Sequence, residues 1–236
     1  MKNIKNIIIA TIKSWNIKNA EVLKKQLRND TNVHIVTKKE ELNYEKINRI
    51  MPEYIFFPHW SWIIPSKIYS NFECIVFHMT DLPYGQGGSP LQNLIVSKVY
   101  NTKISAVKVG KGLDTGDIYL KKDFDIQLGS AEEIFINLSK IVFNEMIPFI
   151  LKNNPVPYEQ KGEVVKFKRR KHEQSNINMM NFSSLDDIYD FIRMLDAEGY
   201  PRAFFYLGKF KFEFSKVHRK SEKLTGRFEI LEEENE

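Results

Sequence analysis

The sequence predicts an α/β chain: a mostly parallel, Rossmann-like sheet with flanking helices, plus a small C-terminal helix and antiparallel β appendage. Three observations predict it. Apolar runs suited to strands buried on both faces alternate with segments of helical period through the first half. The last third instead carries runs that alternate at period two. Between them, NNPVPYEQKGE breaks a long helix with two prolines, which puts the boundary between a domain at 1–160 and a linker plus small domain at 161–236.

The elements follow in order. NIIIATI (6–12) is a first buried strand, IKNAEVLKKQLR a helix with Ile17, Ala20, Leu23 and Leu27 on one face, and VHIVT (33–37) a second strand. KEELNYEKINRIM reads as a helix, YIFFP (54–58) and CIVF (74–77) as strands, with a short helix SKIYS between them. SPLQNLIVSKVY is helical, ISAVKV (104–109) and GDIYLKKDFDI are strands, and SAEEIFINLSKIVFNEMIPFILKN is one long amphipathic helix. Ser130 and Glu133 form a capping box at its start. SSLDDIYDFIRML is capped by Ser183 or Ser184, and AFFYL, KFKFEFSKV and GRFEIL make the antiparallel sheet. LEEENE is a charged tail.

Composition narrows the class. A hydrophobic content of 42% in 236 residues supports a sizeable core. The basic start and short apolar stretch of MKNIKNIIIATIKSW imitate a signal peptide, but the stretch is too short and reads better as a strand. No run of about 18 apolar residues predicts a membrane span. A single cysteine, Cys74, excludes a disulfide framework, so the expected compartment is the cytoplasm. The net charge of +5 is mostly scattered lysine, except where Lys166, Lys168, Arg169, Arg170, Lys171 and His172 crowd together and offer a site for a phosphate-bearing ligand.

Ligands of open α/β sheets sit beyond the carboxyl ends of the strands. Two loops are therefore suspect: PHWSW after the third strand and HMTDLPYG after the fourth. His78 ends its strand where a general base or a positively charged donor would be useful. Asp114 and Asp117 flank Thr-Gly and read either as turn chemistry or as a carboxylate that orients an imidazole. Trp60 and Trp62, with His59, suit a planar ligand or the core equally. GQGG (85–88) lacks dinucleotide spacing, there is no G-x-S-x-G elbow, and the five histidines and one cysteine have no metal-site spacing. No metal is expected.

HMTDLPYGQGGSPLQ, followed 36 residues after His78 by LDTGD, resembles the folate-dependent formyltransferase family. His78, Thr80, Leu82, Pro83, Gly87, Pro90 and Gln92 fall in register with N-x-H-x-S-L-L-P…G-x-x-P-x-Q. KRRKHEQSNI and PRAFFYLGKF resemble the carboxy-terminal part of the sugar-nucleotide N-formyltransferase branch. The resemblance covers roughly residues 50 to 217 and implies the formyltransferase fold, N10-formyltetrahydrofolate as co-substrate and an amine acceptor. It makes His78 and Asp114 the catalytic pair, with His59 and Thr80 beside them. Trp60, Trp62, Ile63, Gly112 and Leu113 become the folate contacts. Tyr84, Gln86, Gly87, Ser89, Gln92, Lys168, Arg169 and Arg170 become the acceptor contacts.

One position departs from the pattern. The family asparagine two residues before the histidine is Val76, so the formyl oxygen needs another donor from among His59, Ser61 and Thr80, with His59 preferred. With only about 55 residues after 180, the acceptor expected is a nucleotide-linked amino deoxysugar, such as a UDP-sugar of a nonulosonic-acid pathway, and no nucleic-acid or membrane partner. The alternatives are methionyl-tRNA as the acceptor, or, given Val76, a non-catalytic folate- or nucleotide-binding protein. Phe204, Phe205, Phe210, Phe212 and Phe214 offer a homodimer surface or cover the tail's own core.

Overall fold

The computed structural model describes residues 4–233; the basic start at 1–3 and the end of the acidic tail at 234–236 lie outside them. The chain divides into two compact units. The first holds the described residues to Gln86, Lys103–Phe124 and Ile136–Lys166; the second holds Gly87–Thr102, Asp125–Phe135 and the described residues from Phe167 on.

In the first unit, β1 (Lys5–Ala10) leads into α1 (Ser14–Leu27) and then β2 (Thr31–Val36). The expected helix at 39–51 is instead a 3-10 turn at Lys39–Glu41 followed by α2 (Tyr44–Ile50). The reason is Asn43: its Oδ1 accepts the N–H groups of Glu45 and Lys46 at 2.9 and 3.4 Å, which starts a new helix there. Next come β3 (Tyr54–Phe57), α3 (Ser66–Tyr69), β4 (Cys74–His78) and β5 (Tyr84–Gly87), a short strand the sequence pattern did not announce. After α4 (Pro90–Val96), which belongs to the second unit, β6 (Asn101–Lys108) and β7 (Ile118–Asp125) complete a sheet ordered β2-β1-β3-β4-β6-β7. β1, β2, β3 and β4 are parallel, whereas β6 runs antiparallel to β4.

This order reverses direction between β1 and β3, the topological switch where open sheets place ligands. The carboxyl ends of β1, β3 and β4 share that edge. Ile7, Ile8 and Ile9 are fully buried, as the continuous apolar run required; each contributes roughly 1.5–3 kcal/mol by burial. The expected single helix from 130 is α5 (Ala131–Ile141), a π turn at Val142–Met146 and α6 (Ile147–Asn153). Pro148 supplies the cause, because it has no N–H for the α-helical ladder and shifts the bonding register one turn earlier. By length and composition Ala131–Asn153 is apolar enough to cross a membrane, but Ile134, Val142, Phe143, Met146, Ile147 and Ile150 are buried in the protein core.

β8 (Val165–Phe167) straddles the unit boundary in sequence, and the second unit continues to α7 (Leu185–Arg193) and the antiparallel sheet β9 (Ala203–Leu207), β10 (Phe210–Arg219) and β11 (Leu224–Glu232), ordered β11-β10-β9. Ser184 caps α7 reciprocally with Asp187, and Ser130 and Glu133 form the expected box before α5. Arg193 is almost fully buried and is tied to Asp190 at 2.7 Å and to the carbonyls of Ile126 and Gly129 at 3.0 Å. Phe205 and Phe212 stack in β9 and β10, while Phe228 and Ile230 on the same face of β11 stay more than half exposed.

Candidate active site

His78 is the last residue of β4 and is buried, with its side chain 9% exposed. Its Nε2 lies 2.8 Å from the carbonyl oxygen of Gly85. A carbonyl only accepts, so Nε2 carries a proton and donates it there. On the other side Nδ1 lies 3.5 Å from Asp114 Oδ2, and that carboxylate is 11% exposed. Both ring nitrogens thus face acceptors. The Asp114 separation is an ion-pair distance, longer than the roughly 2.7–2.9 Å of a tight charge-assisted hydrogen bond.

The sequence LDTGD explains how Asp114 arrives there. It sits in the loop between β6 and β7, closed by the Lys108 N–H donating to Asp117 O at 2.8 Å. Asp114 adopts a left-handed φ of 55°, which a short carboxylate side chain tolerates. Gly116 is required for a different reason: a Cβ at that position would lie 1.9 Å from Lys108 O. The turn reading and the carboxylate reading of this motif are therefore both true of its geometry.

Thr80 is fully buried and points at the same Gly85 carbonyl, with Oγ1 at 3.5 Å, while its own carbonyl accepts the Ser105 hydroxyl at 2.7 Å. His59 follows β3 with φ 58°, packed edge-on to Trp15 with ring centroids 6.4 Å apart. Burial, with Lys13 nearby, pulls its imidazole down to about 4, so it is neutral at pH 7. Thr11 Oγ1 and Asn16 Nδ2 both donate to Pro58 O, at 2.5 and 3.2 Å, and pin the start of this loop. Val76 lies on the His78 face of β4, two residues back, and packs against the cluster of Leu82, Val107 and Ile118. The amide expected of the family is replaced by an apolar wall.

The expected folate contacts are loop residues with uncovered apolar surface. Trp60 is half-buried against Phe57 and Trp62, whereas Ile63 and Leu113 are 94% and 71% exposed. Gly112, beside Leu113, is exposed as well. These surfaces, on two loops of the unit that holds His78, fit a flat heteroaromatic group with an apolar face. Among the described residues no group of three or more His, Cys, Asp or Glu could hold a metal ion.

The expected acceptor contacts separate into two sets. Tyr84 is half-buried, and Gln86 is buried and donates from Nε2 to Gln160 Oε1 at 3.0 Å. Gln160, which the sequence did not single out, also donates from Nε2 to the carbonyls of Asp114 and Gly116, each at 2.8 Å. A lone glutamine just past a proline linker has no spacing signal to give it away. In the second unit, a Cβ on Gly87 would lie 2.3 Å from Phe167 O and one on Gly88 would lie 2.7 Å from the Arg169 Cβ. The double glycine thus lets the basic segment lie against this loop. Ser89 Oγ accepts the Arg170 N–H at 3.0 Å, and Gln92 donates to Met194 O at 2.9 Å. Lys168 and Arg169 are exposed, while Arg170 is half-buried and donates to Gln174 O at 2.5 Å.

Residues 172–231 match the family described as methionyl-tRNA formyltransferase, C-terminal domain. The methionyl-tRNA formyltransferase of Rickettsia massiliae is 30% identical over 137 residues, which make up 56% of this chain and 45% of that protein. The chain spans about half the length of such relatives. A solved structure described as methionyl-tRNA formyltransferase from Clostridium thermocellum is 57% identical, with a TM-score of 0.94, over 97% of this chain and all of that one. A sugar N-formyltransferase from Shewanella is 14% identical with a TM-score of 0.68, over 87% of this chain and 94% of that one, a likeness of fold alone.

These findings correct two expectations. The nucleotide-sugar acceptor and the absence of a nucleic-acid partner were read from the short C-terminal part and the P-R-A-F-F-Y-L-G run. Relatives named for methionyl-tRNA, one of them matching 97% of this chain, overturn both. Shortness of the appendage does not separate the two branches. With its fold, its His78–Asp114 geometry and its 57% identical counterpart, the chain belongs to the formyltransferase family.

Proposed function

We propose that this chain transfers a formyl group from N10-formyltetrahydrofolate to the amino group of methionyl-tRNA. The observation that carries the chemistry is the buried His78–Asp114 pair at the carboxyl edge of the sheet. The names of the relatives support the acceptor. The donor brings a formyl carbon bound to N10, which a neutral amine can attack and from which N10 can leave with a proton.

The chain's own groups do the rest. His78, held between the Gly85 carbonyl and Asp114, stands where the formyl oxygen gains negative charge, and its Nε2–H leaves the Gly85 carbonyl to donate there. Asp114 fixes the ring and balances its charge in a site with little access to water. The amine loses one proton and N10 gains one, so the site returns to its starting state after each turnover. His59 is neutral, so it can donate a hydrogen bond without carrying a competing charge. Trp62, Ile63 and Leu113 offer apolar cover for the folate ring. Lys168 and Arg169, exposed and adjacent, contact RNA phosphates.

The test is a formyl-transfer assay with N10-formyltetrahydrofolate and methionyl-tRNA, with uncharged tRNA as control. Formylmethionyl-tRNA and equimolar tetrahydrofolate are expected only with the charged tRNA. Absence of transfer by folded protein would overturn the proposal.

A further inference from the structure

We infer that Gln160 is a positioning residue for the His78–Asp114 pair, acting through the backbone of the loop that carries Asp114. The inference rests on the formyl-transfer reading of this site. Its basis is a closed circuit of contacts within one unit. His78 Nε2 donates to Gly85 O at 2.8 Å, and Gln86 is the next residue in the chain. Gln86 Nε2 donates to Gln160 Oε1 at 3.0 Å, and Gln160 Nε2 donates to Asp114 O and Gly116 O at 2.8 Å each. Asp114 Oδ2 returns to His78 Nδ1 at 3.5 Å. The two flanks of the imidazole are thus tied to each other by one side-chain amide.

The chemistry at position 160 has one solution. Two partners are carbonyls that only accept, so the NH₂ group must face them; the remaining oxygen must then meet a donor, which Gln86 supplies. Glutamate offers no donor, and methionine has similar reach without hydrogen bonds. The placement of Gln160 is itself built in. Tyr158 and Ile118 exchange both backbone hydrogen bonds, at 2.8 and 3.0 Å, and anchor the post-proline segment at the start of β7, beside the Asp114 loop. Asp114 holds a left-handed φ of 55°, a conformation that persists when surrounding contacts fix it. Two of those contacts come from Gln160.

The test compares Gln160→Met, Asp114→Asn and the double variant in the formyl-transfer assay, beside melting curves. Gln160→Met is expected to lower kcat by about 10- to 100-fold with little change in the KM for the donor. In the Asp114→Asn background it is expected to lower kcat by less than about threefold, because its route of action is already gone. An equal factor in both backgrounds would overturn the inference, since a merely structural residue behaves additively. Gln86→Leu, which cuts the other side of the tie, takes the place of Gln160→Met if the latter fails to fold. A readout independent of turnover is the slowly exchanging Nδ1 proton of His78 by NMR, expected in the wild type and lost in Gln160→Met. Its persistence in the variant would refute the tie even if the protein formylates nothing, whereas failure of wild-type turnover alone refutes only the proposed function.

Discussion

Replacing Asp114 with asparagine keeps the size of the side chain and removes its charge. The carboxylate stands 3.5 Å from His78 Nδ1, and both side chains are about nine-tenths buried. At this separation a pair of unit charges interacts by roughly 5 kcal/mol with an effective dielectric of 20 and roughly 1 kcal/mol in bulk water. The pair is enclosed but lies at a sheet edge, so the working value falls between these limits. At about 1.4 kcal/mol per decade, Asp114→Asn should lower kcat by between about 10- and 1,000-fold. Binding of the donor should change little, because the charge matters most when the formyl oxygen becomes negative. Initial rates of tetrahydrofolate release at saturating methionyl-tRNA measure this directly. A kcat within twofold of the wild type, in a variant with an unchanged melting temperature, would refute the role given to the pair.

Three further outcomes follow from the same geometry. Val76→Asn puts an amide into a wall made with Leu82, Val107 and Ile118; it should lower stability by about 1–3 kcal/mol in urea unfolding and leave kcat unimproved, and a tenfold rate gain would mean no other donor holds the formyl oxygen. His59 is held neutral down to about pH 4, against an ordinary 6.5, so the unfolded chain takes up its proton first as pH falls. Wild-type stability should therefore drop by about 3 kcal/mol between pH 6.5 and 4 from this group, and His59→Asn, which tolerates the left-handed φ, should lack that part of the slope. Lys168→Ala and Arg169→Ala should each raise the KM for methionyl-tRNA and reduce the salt slope by about one, with kcat at saturation unchanged; an unaltered salt slope would place the RNA elsewhere.

Much of the architecture was legible because it depends on local patterns. Ile7–Ile9 read as a buried strand, and Ser130 with Glu133 read as a helix start, from residue type and spacing alone. His78 was expected as a site residue because it ends a strand at the sheet's carboxyl edge, and it does end β4, 3.5 Å from Asp114. What failed to show had causes outside the local pattern. Pro148 sits so near the start of α6 that its effect was a π turn rather than a break. Gly87 was expected among the acceptor contacts, and its close approach to the Phe167 backbone, eighty residues later, had no local signal. Gln160 acts through three partners that are remote in sequence, two of them carbonyls present in every residue. The names of the relatives overturned the expected acceptor, because period-two strands and scattered charge do not distinguish RNA from a nucleotide.

On the proposed function, His78 is the catalytic group of a formyl transfer to methionyl-tRNA. A single-turnover experiment with radiolabelled N10-formyltetrahydrofolate and methionyl-tRNA, run on the wild type and on His78→Asn, tests it most directly. Rapid label transfer is expected from the wild type, and a rate lowered by at least about a thousandfold from His78→Asn, with an unchanged fold by circular dichroism. Transfer by His78→Asn at near wild-type rate would contradict it.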